Sequence, residues 1–377
     1  MVIPFACAFV LSAALTLILV RFSKLRWSLL ADHDLSGPQK FHAVPVPRVG
    51  GIGIVFGLIL GLLLLGQSAL PADKYLGMTL VACAVPAFAA GLLEDVTKAV
   101  SAKWRLLATA ASAAIAFWLL GAQIVHTGIP GLDWVVSWPV GALVVTLLAV
   151  SGIANSVNII DGFNGLASMC VIIMLAALSY VAFQVNDPMI GAMALVGIAA
   201  VLGFFIWNFP GGLIFLGDGG AYFLGFYVAE LSILLLVRNP EVSPVFPLLV
   251  CIYPVFETLF SIYRRQFLRA VPPSMPDGIH LHSLIYRRML RWAVGSRSAR
   301  TLTPRNSMTS PYLWLLCMVS VLPAVLFWDN TLILSLAVAL FALAYVVLYW
   351  RIVRFKSPRW LKPQGARPRV ARKSEQP

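Results

Sequence analysis

One short segment, 155–166, holds the densest set of oxygen-bearing side chains in this sequence. Its polar residues follow one another at a constant step of three, between two long apolar runs: Asn155, Asn158, Asp161 and Asn164. A step of three keeps side chains near one face of an α-helix or 3₁₀-helix, so we expect the amides and the carboxylate to gather there. Gly162 and Gly165 interrupt the helix after Asp161 and let the backbone approach a ligand. A hard cation or an anionic ligand fits such a set, and a plain helix C-terminal cap is the alternative.

Carboxylates also lie beside two other apolar runs. Glu94-Asp95 ends one run, and adjacent acids repel each other and cost energy to desolvate. This pair indicates a cation or a proton transfer, unless it is only a solvated helix end. Asp218 lies among four nearby glycines just before a further run, where packing explains a carboxylate poorly. We therefore expect Asp218 to be a metal ligand.

Basic residues suited to phosphate lie in the first long loop. Lys40 and His42 precede Pro47-Arg48, and the glycine pair Gly50-Gly51 follows, so that backbone amides can face a ligand. Basic residues beside an apolar run are also ordinary topology signals. The indication of a phosphate site is therefore weak when this loop is taken alone.

A later loop carries Arg264-Arg265 and then His280-Leu281-His282. On an extended strand the two histidines point the same way, so both could donate to a pyrophosphate or bind a transition metal. Because carboxylates and amides dominate elsewhere, Mg²⁺ or Mn²⁺ is favoured over Zn²⁺. Glu257 lies near the same end of its apolar run, whereas Glu230 is deeper and is a candidate only because buried acids in membranes are usually functional.

The composition places all of these groups in a membrane protein. Of the 377 residues, 60% are hydrophobic and only 11% are charged, which is too apolar for a soluble domain. The five cysteines lie inside apolar runs without paired spacing, so neither disulfides nor a zinc site is indicated. We predict an all-α integral membrane protein.

Eleven apolar segments are long enough to cross a bilayer, which takes about 20 residues per helix. They span residues 2–20, 50–70, 76–93, 105–123, 134–153, 165–183, 189–207, 220–237, 243–262, 312–328 and 331–350. We predict a polytopic domain over residues 1–350 and a basic, disordered cytoplasmic tail over residues 351–377.

The distribution of basic residues predicts the orientation. With the N-terminus outside, in the periplasm, all of the 28 Lys and Arg residues except Lys74 and Arg238 fall in inner loops or in the C-terminal tail. The net charge of +13 is then explained by topology and anionic lipid, without nucleic acid. Nearly every group singled out above lies on the inner side, which predicts a site at the cytoplasmic face.

These motifs, in this order, resemble the polyprenyl-phosphate N-acetylhexosamine-1-phosphate transferases, a membrane family that includes the WecA-like and MraY-like enzymes. The resemblance rests on Asn155-x-x-Asn-x-x-Asp-Gly-x-Asn-Gly-Leu166, on Gly217-Asp218 and on His280-Leu-His282. It implies transfer of a sugar 1-phosphate from a UDP-sugar to undecaprenyl phosphate, with release of UMP and a need for Mg²⁺, for which Mn²⁺ could substitute. It also implies an inner-membrane location in a bacterium and allows a homodimer.

The resemblance also implies roles for individual residues. Asp218 and Asn158 would hold the metal, and Asp95 would handle the lipid phosphate, with Glu94 beside it. Asp161 would line the polar centre. The expected substrate-binding residues are Lys40, His42, Asn155, Asn164, Arg264 and Arg265, with uracil at Asn164, and the nucleotide diphosphate is expected at His280 and His282.

Three positions depart from the family pattern, namely Glu94, Asn164 and Ser283, where the family has Asp, Asp and His. These departures resemble the branch that starts O-antigen or other surface polysaccharides. A transporter of nucleotide sugars or lipid-linked sugars is the alternative function. Transporters, however, place polar residues near the bilayer midplane and often in repeated halves, and here only Glu230 is deep.

Overall fold

The computed structural model describes residues 2–25, 46–268, 279–287 and 299–354. Lys40 and His42 lie outside the described residues, as does the predicted tail beyond residue 354. Within the described residues the chain is helical and contains no β-strand, which confirms the all-α prediction. The helices are α1 (Val2–Leu25), α2 (Gly50–Gln67), α3 (Leu76–Cys83), α4 (Val85–Thr97), α5 (Ala102–Leu119), α6 (Pro130–Val136), α7 (Pro139–Ile160), α8 (Leu166–Gln184), α9 (Pro188–Asn208), α10 (Gly217–Arg238), α11 (Val245–Val250), α12 (Ile252–Tyr263), α13 (Leu281–Ile285), α14 (Ala299–Leu326) and α15 (Thr331–Val353).

Eight helices in the described part of the chain are long and apolar enough to cross a membrane. They are α1, α2, α7, α8, α9, α10, α14 and α15. The pair α3–α4 counts as a ninth if its 44° bend lies within one span. The two remaining predicted segments are helical as well. Helix α5 carries Lys103 and Arg105 in its first turn, and the segment predicted over 243–262 is divided at Cys251 into α11 and α12. The chain is therefore a multi-span membrane protein, and the count of eleven stays a prediction.

Helix α10 is the centre of the bundle. Every residue from Gly217 to Leu235 is buried, and the helix packs against α2, α4, α7 and α8. Glycines bring its first turn very close to two neighbours. A Cβ added at Gly91 of α4 would lie 2.6 Å from the Cα of Gly219, and one at Gly51 of α2 would lie 2.5 Å from the Cα of Gly220. Packing therefore explains the glycines around Asp218, and the metal role expected of the Asp218 carboxylate stays a prediction.

At the opposite end of the bundle, Arg238 links three interhelical loops through its ion pairs. Its Nε donates to Asp187 at 2.6 Å, and its Nη1 donates to Asp73 at 2.9 Å. Asp187 is itself the N-cap of α9 and accepts from the backbone N–H of Ile190. Arg238 is one of the two basic residues that fall outside the predicted inner loops and tail, and the two aspartates are its ion-pair partners.

Candidate active site

The site is built on the first turn of α10. The Asp95 carboxylate, near the end of α4, accepts hydrogen bonds from the backbone N–H groups of Asp218 and Gly219, both at 2.9 Å. The Asp95 side chain is only 1% exposed. The first N–H groups of a helix have no partners within it, and a carboxylate there satisfies them and interacts favourably with the helix dipole. Asp95 thus fixes the backbone that carries Asp218.

The Asp218 carboxylate lies among groups from three other helix ends. Its Oδ1 accepts from Nδ2 of Asn158 at 3.1 Å and lies 3.4 Å from Nη2 of Arg48, just before α2. Its Oδ2 pairs with Arg105 in the first turn of α5. All of these groups are at one end of the bundle, because α2, α5 and α10 begin there and α4 and α7 end there.

Arg105 is a member of the site that the sequence motifs did not single out. Besides its ion pair with Asp218, its guanidinium lies over the ring of Tyr222, 5.7 Å from the centroid. Tyr222 in turn donates to Oδ1 of Asn155 at 3.1 Å. The Arg105 side chain is 15% exposed, and its Nε makes no hydrogen bond to any described residue. The position of Arg105 at the start of an apolar helix gave no signal beyond its charge.

Asp161 forms the C-cap of α7. The helix ends at Ile160, as the glycines after Asp161 predicted. Asp161 is half-buried by its solvent exposure. Burial raises the pKa of Asp161 to about 7, the positive charge of Arg48 opposes this rise, and the negative charge of Asp95 adds to it. Asp161 therefore shares the electrostatic environment of the Asp95–Asp218 centre.

Asn164 does not join this centre, so the expectation that the four polar residues share one face is wrong for it. Its side chain is 1% exposed and donates from Nδ2 to Oγ of Ser307 at 3.1 Å, while its backbone N–H donates to Oδ1 of Asn306 at 2.7 Å. The cause is the turn after α7, where Gly165 has φ +72°, a value that favours glycine. Its Oδ1 is buried and has no hydrogen bond within the described residues, and the uracil contact expected of Asn164 stays a prediction.

Glu94 and Asp95 have different hydrogen-bond partners. Its Oε2 accepts from the backbone N–H of Val100 at 2.8 Å, so it holds the turn after α4, in which Lys98 is left-handed with φ 57°. The catalytic role predicted for Glu94 stays a prediction.

The histidine segment packs against the turn that carries Asp161. His280 is the N-cap of the short helix α13 and His282 lies within it, so the expected extended strand is wrong. The two rings nevertheless stack, with centroids 5.1 Å apart, because His280 is extended and the helix begins directly after it. A Cβ added at Gly162 would lie 3.2 Å from Nε2 of His282. His282 therefore lies against the turn that follows Asp161.

Arg264 and Arg265 are both buried near this segment. The Arg264 guanidinium donates to the carbonyl oxygen of Ile279 at 2.9 Å and to the Tyr349 hydroxyl at 2.6 Å. It therefore anchors the chain just before His280. The substrate contacts expected of the two arginines stay predictions.

The donor set of the centre fits a magnesium ion. Among the described residues there is no group of three or more His, Cys, Asp or Glu side chains arranged for a metal. The Asp218 carboxylate and the neighbouring Asn158 side chain, through its Oδ1, instead offer hard oxygen ligands. Mg²⁺ typically takes one or two protein carboxylates and completes its shell with water and substrate phosphates. Asp218 and Asn158 would hold such an ion.

Comparison with known proteins agrees with the motifs. A family model described as "Glycosyl transferase family 4" matches residues 77–236, which include Asp95, Asn158, Asp161 and Asp218. A Bacillus subtilis protein named as a probable undecaprenyl-phosphate N-acetylglucosaminyl 1-phosphate transferase is 32% identical over 281 residues, covering 73% of this chain and 75% of the relative.

Two further relatives match less closely. An undecaprenyl-phosphate alpha-N-acetylglucosaminyl 1-phosphate transferase of Thermotoga maritima is 28% identical, over 75% of this chain and 81% of the relative. A phospho-N-acetylmuramoyl-pentapeptide-transferase of Oceanobacillus iheyensis is 26% identical, over 62% of this chain and 75% of the relative. With the Bacillus relative matched over three quarters of its length, the chain belongs to glycosyl transferase family 4, the family that its three motifs resemble.

Proposed function

We propose that this protein transfers an N-acetylhexosamine 1-phosphate from a UDP-sugar to undecaprenyl phosphate and releases UMP. The observation that carries the proposal is the convergence of Asp95, Asn158, Asp218, Arg48 and Arg105 at one end of the bundle, in a chain of this family. A transporter would place such groups near the midplane instead.

The reaction is a single displacement at phosphorus. An oxygen of the lipid phosphate attacks the phosphorus that bears the sugar, the bond from that phosphorus to the bridging oxygen of the diphosphate breaks, and the bridging oxygen leaves on UMP. Both substrates are anionic, so the protein has mainly to position them and neutralise charge. Arg48 and Arg105 both pair with Asp218 and suit this task.

Mg²⁺ belongs to this proposal through Asp218 and Asn158. When bound, the ion would neutralise charge that develops on the diphosphate. His280 and His282 would bind the diphosphate from the side of Gly162, and Asp161 would face the same space.

The lipid chain has a groove beside the histidine segment. An apolar groove of about 680 Å³ lies between α12 and α15 and is bordered by Arg264 and Ile279. We assign the isoprenoid chain to this groove. The phosphate end would then lie near His280, at the end of the bundle that the distribution of basic residues predicts to be cytoplasmic. The enzyme would work at the bacterial inner membrane and start a surface polysaccharide of the O-antigen type.

The test is transfer by the purified protein in detergent with UDP-N-acetylglucosamine, undecaprenyl phosphate and Mg²⁺, measured as UMP release. We expect Asp218→Asn to lower turnover at least about 100-fold, because it removes the charge at the metal position. Asp329→Asn, in the exposed turn before α15, is the matched control and should keep full activity. No UMP release with any of several UDP-N-acetylhexosamines, or near-normal turnover of Asp218→Asn, would refute the proposal.

A further inference from the structure

A buried carboxylate lies behind the two histidines. Glu257 of α12 is 1% exposed, and an acid in such a place is costly unless donors surround it. Its Oε2 accepts from the Tyr345 hydroxyl at 2.5 Å. Its Oε1 lies 2.9 Å from Nδ1 of His280 and accepts from the backbone N–H of Leu281 at 3.2 Å. Donors from α13, its N-cap and α15 thus converge on one carboxylate.

These contacts determine which nitrogen of His280 carries a proton. An ionised carboxylate can only accept hydrogen bonds, so a partner at 2.9 Å has to donate. The proton of a neutral His280 ring is therefore on Nδ1, and Nε2 carries none. A hydrogen bond of this kind commonly sets the tautomer and the ring orientation of a functional histidine.

The orientation of His280 is passed on to its neighbour. The two imidazole planes stack at an angle of 20°, and the ring of Phe163 meets His282 edge-on at 5.4 Å. His282 is thereby held between His280 and the turn at Gly162.

The C-terminal helix α15 supports the segment at a second point. Tyr349, one turn after Tyr345, donates to the carbonyl oxygen of Ile279 at 3.2 Å and also contacts Arg264. Two tyrosines of α15 therefore hold the histidine segment, one through Glu257 and one through Ile279. Nothing in the apolar pattern of residues 331–350 predicted a part for this helix near the site.

We propose that Glu257, oriented by Tyr345, is a positioning residue that fixes His280 as the Nδ1–H tautomer and, through the ring stack, holds His282 against the Asp161–Gly162 turn. This inference rests on the proposed function, since the ligand of the histidine pair is taken to be the nucleotide diphosphate.

The tautomer can be measured without any turnover. Selective ¹⁵N labelling of the five histidines, with the protein in bilayers, gives Nδ1 and Nε2 signals by solid-state NMR. His280→Gln identifies the signals of His280. We expect a protonated Nδ1 in the wild-type protein and in Glu257→Gln, because the amide oxygen still accepts. In Glu257→Leu, which removes the acceptor, we expect the proton to move largely to Nε2.

The kinetic readout uses the same variants. We expect Glu257→Leu to lower kcat about 10–100-fold, as loss of a histidine's supporting partner commonly does, and Glu257→Gln to recover most of that loss. Glu230→Leu is the matched control, since Glu230 is also fully buried but makes no hydrogen bond to any described residue. It should keep near wild-type kcat.

A wild-type His280 without a proton on Nδ1 would overturn the inference even if no Glu257 variant folds. An unchanged tautomer in Glu257→Leu, or an equal loss of kcat in Glu230→Leu, would overturn it as well. If the tautomer depends on Glu257 as expected but the wild-type protein releases no UMP, the proposed function fails while the pairing of Glu257 with His280 is supported.

Discussion

Asp95 and Glu94 are neighbours in the chain but have different partners. Successive side chains on a helix diverge by about 100°, so two adjacent acids cannot face one point. Both oxygens of Asp95 accept from the first N–H groups of α10, whereas Glu94 accepts from Val100. The geometry thus favours a positioning role for Asp95, and its action on the lipid phosphate stays a prediction.

Asp95→Asn should separate these roles. The asparagine offers one acceptor where the first turn of α10 needs two, so Asp218 loses its position, and we expect turnover to fall at least about tenfold at every pH. Glu94→Gln, which removes the same charge from the adjacent residue, should lower turnover less. Turnover against pH at saturating UDP-sugar is the measurement. If the Asp95→Asn defect is relieved as pH rises, Asp95 instead accepts the proton of the lipid phosphate.

Asp161 gives the metal-free protein a pH-dependent stability. Burial raises its pKa from 3.8 to about 7, so across this range the folded protein keeps a proton that the unfolded chain has released. Stability should therefore fall as pH rises from 5 to 8. In EDTA we expect the Tm of the wild-type protein to fall as pH rises from 5 to 8. The Tm of Asp161→Asn should fall by about 2 °C less over the same range, or by a still smaller amount. Parallel profiles for the two proteins would contradict the raised pKa.

At the scale of elements, the site depends on how closely α10 approaches its neighbours. The N–H groups of its first turn reach Asp95 because Gly91 of α4 leaves no side chain between the two helices. Asp218 reaches Asn158 because α7 also packs along α10. Small residues that let membrane helices approach closely are a general feature of their packing. Here the close contact assembles the polar centre.

Gly91→Ala tests this dependence. The added Cβ would lie 2.6 Å from the Cα of Gly219, a contact that only a shift of α4 relative to α10 can relieve. We expect at least about a tenfold loss of turnover in a protein that still inserts, since an error of about 1 Å in a site can cost far more. Gly152→Ala in α7 is the control, because a Cβ there meets nothing within 4 Å. Equal activity of the two variants would show that the close approach is dispensable.

At the scale of the whole molecule, the two ends of the bundle carry different sets of charged residues. One end gathers Asp95, Asp218, Arg48 and Arg105 around a site, whereas the other is closed by Arg238 with Asp73 and Asp187. The positive-inside rule predicts that the first end faces the cytoplasm, where both proposed substrates would be presented.

Single cysteines can test this orientation in intact cells. Ser101 and Leu70 are exposed near opposite ends of the bundle, so each can be replaced by cysteine in a Cys7→Ser background. An impermeant maleimide should label Leu70→Cys directly and Ser101→Cys only after the membrane is permeabilised. The reverse pattern would invert the predicted topology.

The sequence by itself determined the helices, the membrane class and the motif residues, because apolar length and periodicity are local properties that no tertiary contact has to supply. It also indicated Asp95, Asn158, Asp161 and Asp218 as one group. Only the tertiary structure decided what each side chain meets. Asn164 turned toward α14, Arg105 joined Asp218, and Glu257 met His280 across 23 positions of chain. Such pairings depend on helix packing between distant segments, and the identity of a residue does not reveal which neighbour its helix will face.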